Sequence, residues 1–447
     1  MINGVYGYLD PEFIRQTAKL KPTILRFPGG TVANFFHWQQ GGFIKAELKS
    51  SASKELNRRL LRQSGHLYAV RPDGIRFDDF MELCKRLAVN PLLVVNLFTG
   101  TPAESAAWVQ YVKNKGYTIA GWELGNEMYL PAYRNRVFSV QEYIRLAKKH
   151  AAAMKAVDNT IRLGVPAHPA GFHLQKASRY GREWNEALAR ENFYDAYVVH
   201  MYVHLKKYAQ RRTKIDLDHL RKELFTIDDT SFQKAISYYD ALFGKREMWV
   251  TEWNIMKPKD VHIADTLLHA LYTADFFIQL INGVTPIRIA CYHVLAGVWN
   301  GFPTFTPGKM KGGKAATSIK RASYFAFELI GDVVADSTRV FPLKIDNGPM
   351  LEKTTSFPLK SIPGIKAACL GSDNGKHYIL VTNRTAQTVT TQVIVNGRQA
   401  APQSLRYIGS TNINSLGAKG QILIKDEPLT GEQLQLKPTS FAVIVIP

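Results

Sequence analysis

The chain has 447 residues, of which 46% are hydrophobic and 21% are charged. This composition excludes a disordered protein and suffices for a large packed core, and the length favours two domains. There are 57 Lys and Arg against 37 Asp and Glu, and the resulting net charge of +20 favours an anionic partner such as nucleic acid, a membrane surface or an acidic polysaccharide.

Up to about residue 335, short apolar runs alternate with amphipathic helical stretches. Near-continuous apolar runs are typical of strands that are buried on both faces of a parallel sheet. The predicted strands are Thr23–Phe27, Leu92–Leu97, Thr118–Leu124, Arg162–Pro166, Ala196–Tyr202, Met248–Trp253 and Ile287–Val294. The predicted helices between them include Phe80–Leu87, Ser105–Lys113 and Val140–Val157. Such alternation is found in open doubly wound sheets and in closed (β/α)8 barrels.

These seven strands are one fewer than a (β/α)8 barrel requires. Asp10–Leu20 is predicted to be a helix, because Asp10 suits the N-cap and Pro11 suits the first helical position. Either Asn3–Tyr8 is a weak first strand or the first strand lies upstream of this chain, and the second interpretation is favoured. The seven predicted strands are therefore numbered two to eight.

After about residue 340 the helical periodicity gives way to alternating apolar and polar residues, with turn signals such as Asn396-Gly397 between the segments. The predicted strands here are His377–Thr382, Val389–Val395, Ser404–Ile408 and Phe441–Ile446. This pattern is typical of an antiparallel β-sandwich. We expect residues 1–335 to form the (β/α)8 barrel and residues 336–447 to form the sandwich domain.

Two carboxylates stand where predicted strands four and seven end. Glu127 closes the segment Gly121–Glu127, and Glu252 lies within Trp249–Asn254. Active sites of such barrels lie at the carboxyl ends of the strands. Glycoside hydrolysis needs two carboxyl groups, one to protonate the leaving oxygen and one to attack or stabilise the anomeric carbon. A single Glu at a strand end is more often an ion-pair partner, but the two together favour catalysis.

Four segments carry a resemblance to retaining barrel glycosidases of the clan that contains α-L-arabinofuranosidases and heparanase/β-glucuronidases. Leu25–Gly30, Val95–Pro102 and Glu252–Asn254 resemble arabinofuranosidase segments, and Trp122–Glu127 resembles a segment of both branches. The resemblance covers roughly residues 5–300, and a sandwich tail is typical of both branches. It implies a retaining glycoside hydrolase.

The resemblance also implies roles for the residues that match these motifs. Glu127 is the expected general acid/base, and Glu252 is the expected nucleophile. Arg26 is expected to hydrogen-bond the nucleophile end of the pocket, where it keeps Glu252 ionised together with Tyr202. Asn126 is expected to bind the sugar 2-hydroxyl.

Further supporting residues are predicted from their positions on the strands. His200 and Tyr202 alternate along predicted strand six and therefore share a face beside the nucleophile. Trp38 and Trp299 follow strands two and eight and are candidates for stacking on sugar rings, although ordinary packing is an equal alternative. The remaining candidates for substrate binding or support are Asn96 and Tyr292.

Basic residues are frequent in the segments that follow strands two, six, seven and eight. They are Lys45, Lys49, Lys54, Arg58, Arg59, Arg62, Lys206, Lys207, Arg211, Arg212, Lys214, Lys257, Lys259, Lys309, Lys311, Lys314, Lys320 and Arg321. Each run alone is as readily a solvated surface, but four runs around one mouth favour an anionic substrate. A carboxylated or sulfated glycan agrees with the heparanase/β-glucuronidase-like branch, whereas the arabinofuranosidase branch predicts a neutral substrate.

Other functions have less support. A catalytically inert barrel that binds a glycan or polyanion is the alternative outside enzymology, and a nucleic-acid partner is not expected because no recognition motif accompanies the charge. Three separate cysteines give no metal-ligand spacing, so neither a metal nor a cofactor is expected. No apolar run is long enough for a membrane span, and no signal peptide is visible, so export is favoured only if the N-terminus has been trimmed. The sugar, the linkage and the oligomeric state are not predicted.

Overall fold

A computed structural model describes residues 7–50, 53–70, 73–169, 178–204, 217–256, 263, 265–283, 287–297, 303–308, 310–311, 314–315, 317–351, 361–409, 412–413, 415–429 and 431–447. Within these residues, no helix is both long and apolar enough to span a bilayer. Trp299 and the basic residues predicted after strands six and seven lie outside the described residues, as does most of Asn3–Tyr8.

Seven parallel strands form one sheet in which each strand pairs with the next in chain order. They are β1 (Ile24–Phe27), β2 (Asn90–Val94), β3 (Gly121–Glu123), β4 (Leu163–Pro166), β5 (Ala196–His204), β6 (Glu247–Met256) and β7 (Ile287–Tyr292). They correspond to predicted strands two to eight. Because β1 also contacts β7, the sheet is nearly closed, and the predicted barrel architecture is confirmed with seven strands in the described part of the chain.

Helices lie before, between and after these strands. They are α1 (Pro11–Lys19), α2 (Lys45–Ser50), α3 (Lys54–Val70), α4 (Phe77–Leu87), α5 (Pro102–Lys115), α6 (Val140–Val157), α7 (Arg179–Ala189), α8 (Leu217–Phe243), α9 (Leu267–Asn282) and α10 (Ala322–Asp336). Short 3-10 helices cover Thr31–Phe35, Pro131–Tyr133 and Gly417–Lys419. Asp10 caps α1 as its sequence indicates, because its carboxylate accepts the backbone N–H groups of Glu12 and Phe13.

The interior of the barrel is filled by a small apolar cluster around Trp249, which is fully buried with Leu92, Val198 and Ile289. The indole lies against β3, where a Cβ atom on Gly121 would stand only 2.4 Å from Trp249 Cη2. Glycine at this position therefore allows a large ring to fill the space between the strands, and this packing holds the strand ends in place around the site.

The C-terminal region is antiparallel. Its strands are β8 (Phe305–Pro307), β9 (Met310–Lys311), β10 (Lys314–Ala315), β11 (Ser318–Lys320), β12 (Arg339–Phe341), β13 (Met350–Leu351), β14 (Ile362–Pro363), β15 (Ile365–Gly371), β16 (His377–Asn383), β17 (Val389–Val395), β18 (Arg398–Ala400), β19 (Ser404–Gly409), β20 (Ile424–Pro428), β21 (Gln433–Leu436) and β22 (Ser440–Ile446). A six-stranded sheet in the order β12-β15-β16-β22-β19-β20 packs against the three-stranded sheet β18-β17-β21 through one apolar core. This arrangement is the predicted sandwich, while the domain boundary near residue 336 stays a prediction.

Candidate active site

Arg26 links three polar side chains at the carboxyl ends of the barrel strands. Its Nε and Nη2 atoms donate to both carboxylate oxygens of Glu123 over 2.8 and 2.6 Å, and Nη1 donates to Glu252 Oε1 over 2.8 Å. Nη2 also donates to Asn126 Oδ1 over 2.9 Å. Burial lowers the pKa of Arg26, but the charges of Glu123 and Glu252 outweigh it and raise the pKa. Arg26 thus remains charged and fixes strands β1, β3 and β6 to one another.

The backbone that carries Glu127 is held in an unusual conformation. Gly125 has a φ of +83° and Glu127 a φ of +47°, so the chain turns sharply where β3 ends. Asn34 stabilises this turn, because its Nδ2 donates to Asn126 O over 2.7 Å and its Oδ1 accepts from Asn126 N over 2.8 Å. A non-glycine residue at positive φ costs conformational energy, and such strain is often found at functional sites. The turn directs the Glu127 side chain toward β5.

Glu127 is the more exposed of the two candidate carboxylates, with 22% of its side chain accessible. Its Oε1 accepts a hydrogen bond from His200 Nδ1 over 2.9 Å and a longer one from Tyr129 OH over 3.4 Å. A partly exposed carboxyl group can exchange protons with solvent and can reach a ligand that enters from outside. These properties suit a general acid/base.

Glu252 lies deeper, with 7% of its side chain accessible. Tyr202 OH donates to its Oε2 over 2.5 Å, while Arg26 holds the other oxygen. Burial raises the pKa of Glu252, but the charges of His200, His293 and Arg26 and the hydrogen bond from Tyr202 outweigh it and hold the pKa below its ordinary value. The carboxylate is therefore ionised, as a nucleophile requires.

His200 stands between the two carboxylates. Its Nδ1 lies 2.9 Å from Glu127 Oε1 and 3.7 Å from Glu252 Oε2, and its Nε2 lies 3.3 Å from Thr251 Oγ1. Burial lowers the pKa of His200, but the charge of Glu252 and the contacts with Glu127 outweigh it and raise the pKa. The imidazole is thus placed to carry positive charge that offsets both carboxylates.

One carboxylate oxygen of Glu127 and one of Glu252 lie within 4.8 Å of each other. Retaining glycosidases keep their two carboxyl groups about 5–5.5 Å apart, whereas inverting ones separate them by about 6.5–9.5 Å to admit a water molecule. The observed distance agrees with the retaining geometry.

The spacing of two groups of side chains would also admit a metal ion. One group is Glu127, His200 and Glu252, and the other is Asp228, Asp229 and Asp275. In both groups a buried arginine is already paired with a carboxylate: Arg26 with Glu252, and Arg384 with Asp229 and Asp275. A fixed positive charge next to the carboxylates disfavours a cation, so neither group suits a resident metal.

Several predicted residues lie away from the two carboxylates. Trp38 is buried and stacks on Trp108, with ring centroids 5.8 Å apart and planes inclined by 7°, so packing rather than sugar stacking accounts for it. Asn96 uses its amide to stabilise a turn, because its Oδ1 accepts from Thr99 N over 3.0 Å. Tyr292 contacts His269, whose Nε2 lies 3.2 Å from Asn254 Oδ1 on β6. Tyr292 therefore supports β6 rather than facing the carboxylates.

Sequence reasoning missed Glu123, Asn34 and Tyr129. Glu123 is a fully buried carboxylate on a strand, and such a group needs a cationic partner, but the sequence does not say which residue supplies it. Asn34 follows the Leu25–Gly30 motif, but its partner Asn126 is distant in sequence. Only the folded chain brings these residues together.

The fold and the site together define a class of protein: a parallel barrel with one ionised buried carboxylate and one partly exposed carboxylate at its strand ends, the arrangement found in retaining barrel glycosidases. No protein-family model matches the chain. Among curated relatives, α-L-arabinofuranosidase C of Emericella nidulans is 26% identical over 168 residues, which cover 34% of this chain and 31% of the relative. The intracellular exo-α-(1→5)-L-arabinofuranosidase of Acetivibrio thermocellus is 24% identical over 327 residues, 64% of this chain and 60% of the relative.

Solved structures match over nearly the whole chain. The family 51 α-L-arabinofuranosidase of Thermotoga petrophila has a TM-score of 0.69 at 19% identity, covering 100% of this chain and 94% of that one. A 4-O-α-L-rhamnosyl-β-D-glucuronidase from Fusarium oxysporum has a TM-score of 0.60 at 13% identity, covering 99% and 93%. The predicted resemblance to the clan of barrel glycosidases is confirmed. The chain spans about a third to three fifths of the length of the two curated relatives.

Proposed function

We propose that this protein is a retaining glycoside hydrolase that acts by double displacement, with Glu127 as general acid/base and Glu252 as nucleophile. The observation that carries the proposal is the close pair of carboxylates in unlike environments. One is buried and held ionised by Arg26 and Tyr202, and the other is partly exposed beside His200. Pairs of carboxyl groups with contrasting surroundings are how such enzymes divide the two roles.

In the first step, a lone pair of the Glu252 carboxylate attacks the anomeric carbon while Glu127 gives its proton to the leaving oxygen. The bond between the anomeric carbon and that oxygen breaks, and a glycosyl ester of Glu252 forms. The hydrogen bonds from Arg26 and Tyr202 hold the carboxylate plane in one orientation, and each oxygen keeps a further lone pair. His200 stays close to both carboxyl groups as their charges change.

In the second step, Glu127 takes a proton from water, which attacks the anomeric carbon from the side that the leaving group vacated. The ester bond breaks, Glu252 is again a carboxylate, and the sugar leaves with its original anomeric configuration. The same residue serves as acid and then as base, so it must exchange protons readily, and its exposure supports this role.

Asn126 carries a further hydrogen-bond donor beside the two carboxylates. Its Oδ1 accepts from Arg26, but its buried Nδ2 has no hydrogen-bond partner in the described part of the chain. A buried amide without a partner is unfavourable, so a sugar hydroxyl is a suitable acceptor. This supports the predicted contact with the 2-hydroxyl group, which strengthens in the transition state.

For the sugar that is released, we propose an α-L-arabinofuranosyl unit, because the curated relatives and several structural neighbours are arabinofuranosidases. An acidic glycan is the second candidate. The net charge of +20 supports it, as does the neighbour that acts as a rhamnosyl-glucuronidase. The two candidates are compatible if the acidic group belongs to the leaving-group side of the substrate.

A screen of four aryl glycosides tests the proposal: α-L-arabinofuranoside, β-glucuronide, β-xyloside and β-glucoside. We expect release of the phenol from the arabinofuranoside, and loss of this activity in Glu127→Gln and Glu252→Gln. Glu142→Gln, which changes a carboxylate paired with Arg145 on α6, is the matched control and should retain full activity. Unchanged activity in either active-site variant would contradict the role assigned to that residue, whereas a wild type that hydrolyses none of the four glycosides would favour a barrel that only binds glycans.

A further inference from the structure

His37 lies in the segment that follows β1, on the side of the barrel where the strands end. Its backbone forms an antiparallel bridge with Gly42, through hydrogen bonds of 2.8 and 3.3 Å. The imidazole ring is buried, with 7% of the side chain accessible. Asn34, on the same segment, fixes the turn that carries Glu127, so His37 belongs to the framework of the barrel mouth.

Both ring nitrogens of His37 face a carboxylate. Nδ1 lies 3.0 Å from Glu104 Oε1, and Nε2 lies 2.8 Å from Glu47 Oε2. An ionised carboxylate only accepts hydrogen bonds, whereas a neutral imidazole carries one N–H and can therefore donate to one of these groups alone. The imidazolium form carries two N–H groups and satisfies both carboxylates. The two short distances therefore fit the charged form of His37.

The same two carboxylates are the charged groups with the largest effect on the pKa of His37. Burial lowers this pKa, but the hydrogen bonds and charges of Glu104 and Glu47 outweigh it and raise the pKa above its ordinary value of 6.5. A pKa that is raised in the folded state contributes stability that is fully present below pH 6.5 and is lost as the pH rises through the folded pKa. The bridge is thus complete in acid and weakens in alkaline solution.

The bridge joins two helices that follow different strands. Glu104 lies in the first turn of α5, after β2, and its side chain is 16% accessible. Glu47 lies in the first turn of α2, after β1, and its side chain is 31% accessible. Shortly after α2, Ser53 donates its backbone N–H to Ala132 O over 3.3 Å, in the loop that follows the acid/base. His37 therefore anchors an element that contacts the active-site loops.

We propose that His37 is a pH-sensitive latch, which holds α2 against the barrel while the imidazole is charged and lets α2 open more often when the imidazole loses its proton. The neutral ring keeps one carboxylate, and its unprotonated nitrogen then faces the lone pairs of the other. Glu47 is the more accessible of the two, so we expect its bond to be lost. Because Leu48 of α2 is fully buried, we expect local opening rather than detachment. The latch does not depend on which sugar the enzyme hydrolyses.

Amide hydrogen exchange of the full chain tests this proposal. Protection factors, which remove the intrinsic effect of pH on exchange, are measured at about pH 6, 7.5 and 9. Peptides that cover α2 are compared with peptides that cover α6, which serve as an internal reference. The variants are His37→Gln, Glu47→Gln and His219→Gln. His219 pairs with one carboxylate, that of Glu223 on the same helix, and is the matched control.

In the wild type, we expect the protection of α2 relative to α6 to fall by about 10- to 100-fold between the lowest and the highest pH, the effect of one hydrogen bond to a charged group. In His37→Gln and Glu47→Gln the relative protection should be low at every pH, because neither variant can join an imidazolium to two carboxylates. His219→Gln should behave as the wild type does.

A wild-type ratio that does not change with pH overturns the proposal, as does a ratio that still falls with pH in Glu47→Gln or His37→Gln. Glu47 is partly exposed, so its replacement by Gln is expected to leave the barrel folded. The wild type and Glu47→Gln therefore decide the question even if His37→Gln does not fold.

Discussion

In the part of the chain that the structure describes, two buried arginines each bind two carboxylates, and their surroundings differ. Arg26 lies at the barrel mouth with Glu123 and Glu252. Arg384 lies between the barrel and the sandwich, where Nη2 is 2.7 Å from Asp229 Oδ1 and 2.5 Å from Asp275 Oδ2. The first pairs residues of three barrel strands, and the second joins α8 and α9 to the end of β16.

The two clusters differ in their exposure to solvent. Around Arg384, a second cation, Lys366, lies 2.5 Å from Asp229, and Thr382 donates to Asp275 over 2.6 Å. Around Arg26, the Asn126 amide N–H has no hydrogen-bond partner among the described residues, and the side chain of the adjoining Glu127 is 22% accessible. The same ion-pair chemistry therefore serves two purposes. A closed cluster stabilises an interface, while an open one presents reactive groups to a substrate.

The largest expected difference between the clusters concerns catalysis. Glu252→Gln should lower kcat by about 10⁴-fold or more, because it removes the proposed nucleophile, while Arg384→Met should leave kcat unchanged for folded protein. Steady-state kinetics on the arabinofuranoside measure both. Equal losses in the two variants would show that the Arg26 cluster has no special role in the reaction.

Glu127→Gln should affect substrates according to their leaving group. We expect a loss of about 10²–10⁴-fold for an alkyl glycoside, which needs a proton on the leaving oxygen. A 2,4-dinitrophenyl glycoside, whose leaving group needs no proton, should lose far less in the first step, measured as the burst of released phenol. A loss that is independent of the leaving group would contradict the assignment of Glu127 as acid.

For the free energy of unfolding, we expect the Arg384 cluster to matter more than an exposed ion pair. Arg384→Met leaves Asp229 and Asp275 buried without their main partner, so it should lower the free energy of unfolding by about 3–5 kcal/mol. Arg406 pairs with Asp332 and Asp426 but is 35% exposed, and Arg406→Met should cost no more than about 1 kcal/mol. Urea unfolding of both variants measures the difference. Similar costs would mean that burial of the Arg384 cluster contributes nothing.

The smallest effect concerns pH. Burial raises the pKa of Asp229, but Arg384 and Lys366 outweigh it and lower the pKa from 3.8 to about 2. A lowered pKa in the folded state contributes stability that is present above pH 3.8 and is lost as the pH falls toward 2. The difference in unfolding free energy between wild type and Asp229→Asn should therefore shrink between pH 5 and pH 3. A constant difference would exclude this linkage.

Local patterns in the sequence predicted the strands and the two carboxylates, because apolar runs and strand ends are short-range features. All seven predicted barrel strands were found; Glu127 follows the end of β3, whereas β6 continues past Glu252 to Met256. The bond from Arg26 to Glu123 could not be predicted, since it depends on how β1 and β3 lie relative to each other. Trp38 shows the same limit, because only the packing of Trp108 reveals that its ring is covered.

The cluster around Arg384, between the barrel and the sandwich, was harder still to predict from the sequence. Arg384 and Asp229 are separated by 155 positions and belong to different layers, and the sequence around neither residue indicates the other. Buried polar groups require partners, but composition and periodicity do not say which distant residue supplies them. The contacts that give Arg26 and Arg384 their different roles therefore depend on how whole helices and strands pack together.

The stereochemistry of hydrolysis tests the central claim most directly. Proton NMR of the first sugar released from the aryl glycoside, recorded before its anomers equilibrate, reports the configuration at the anomeric carbon. Double displacement by Glu252 and Glu127 at their observed spacing predicts the same configuration as in the substrate. Release of the inverted sugar would contradict the assignment of Glu252 as nucleophile.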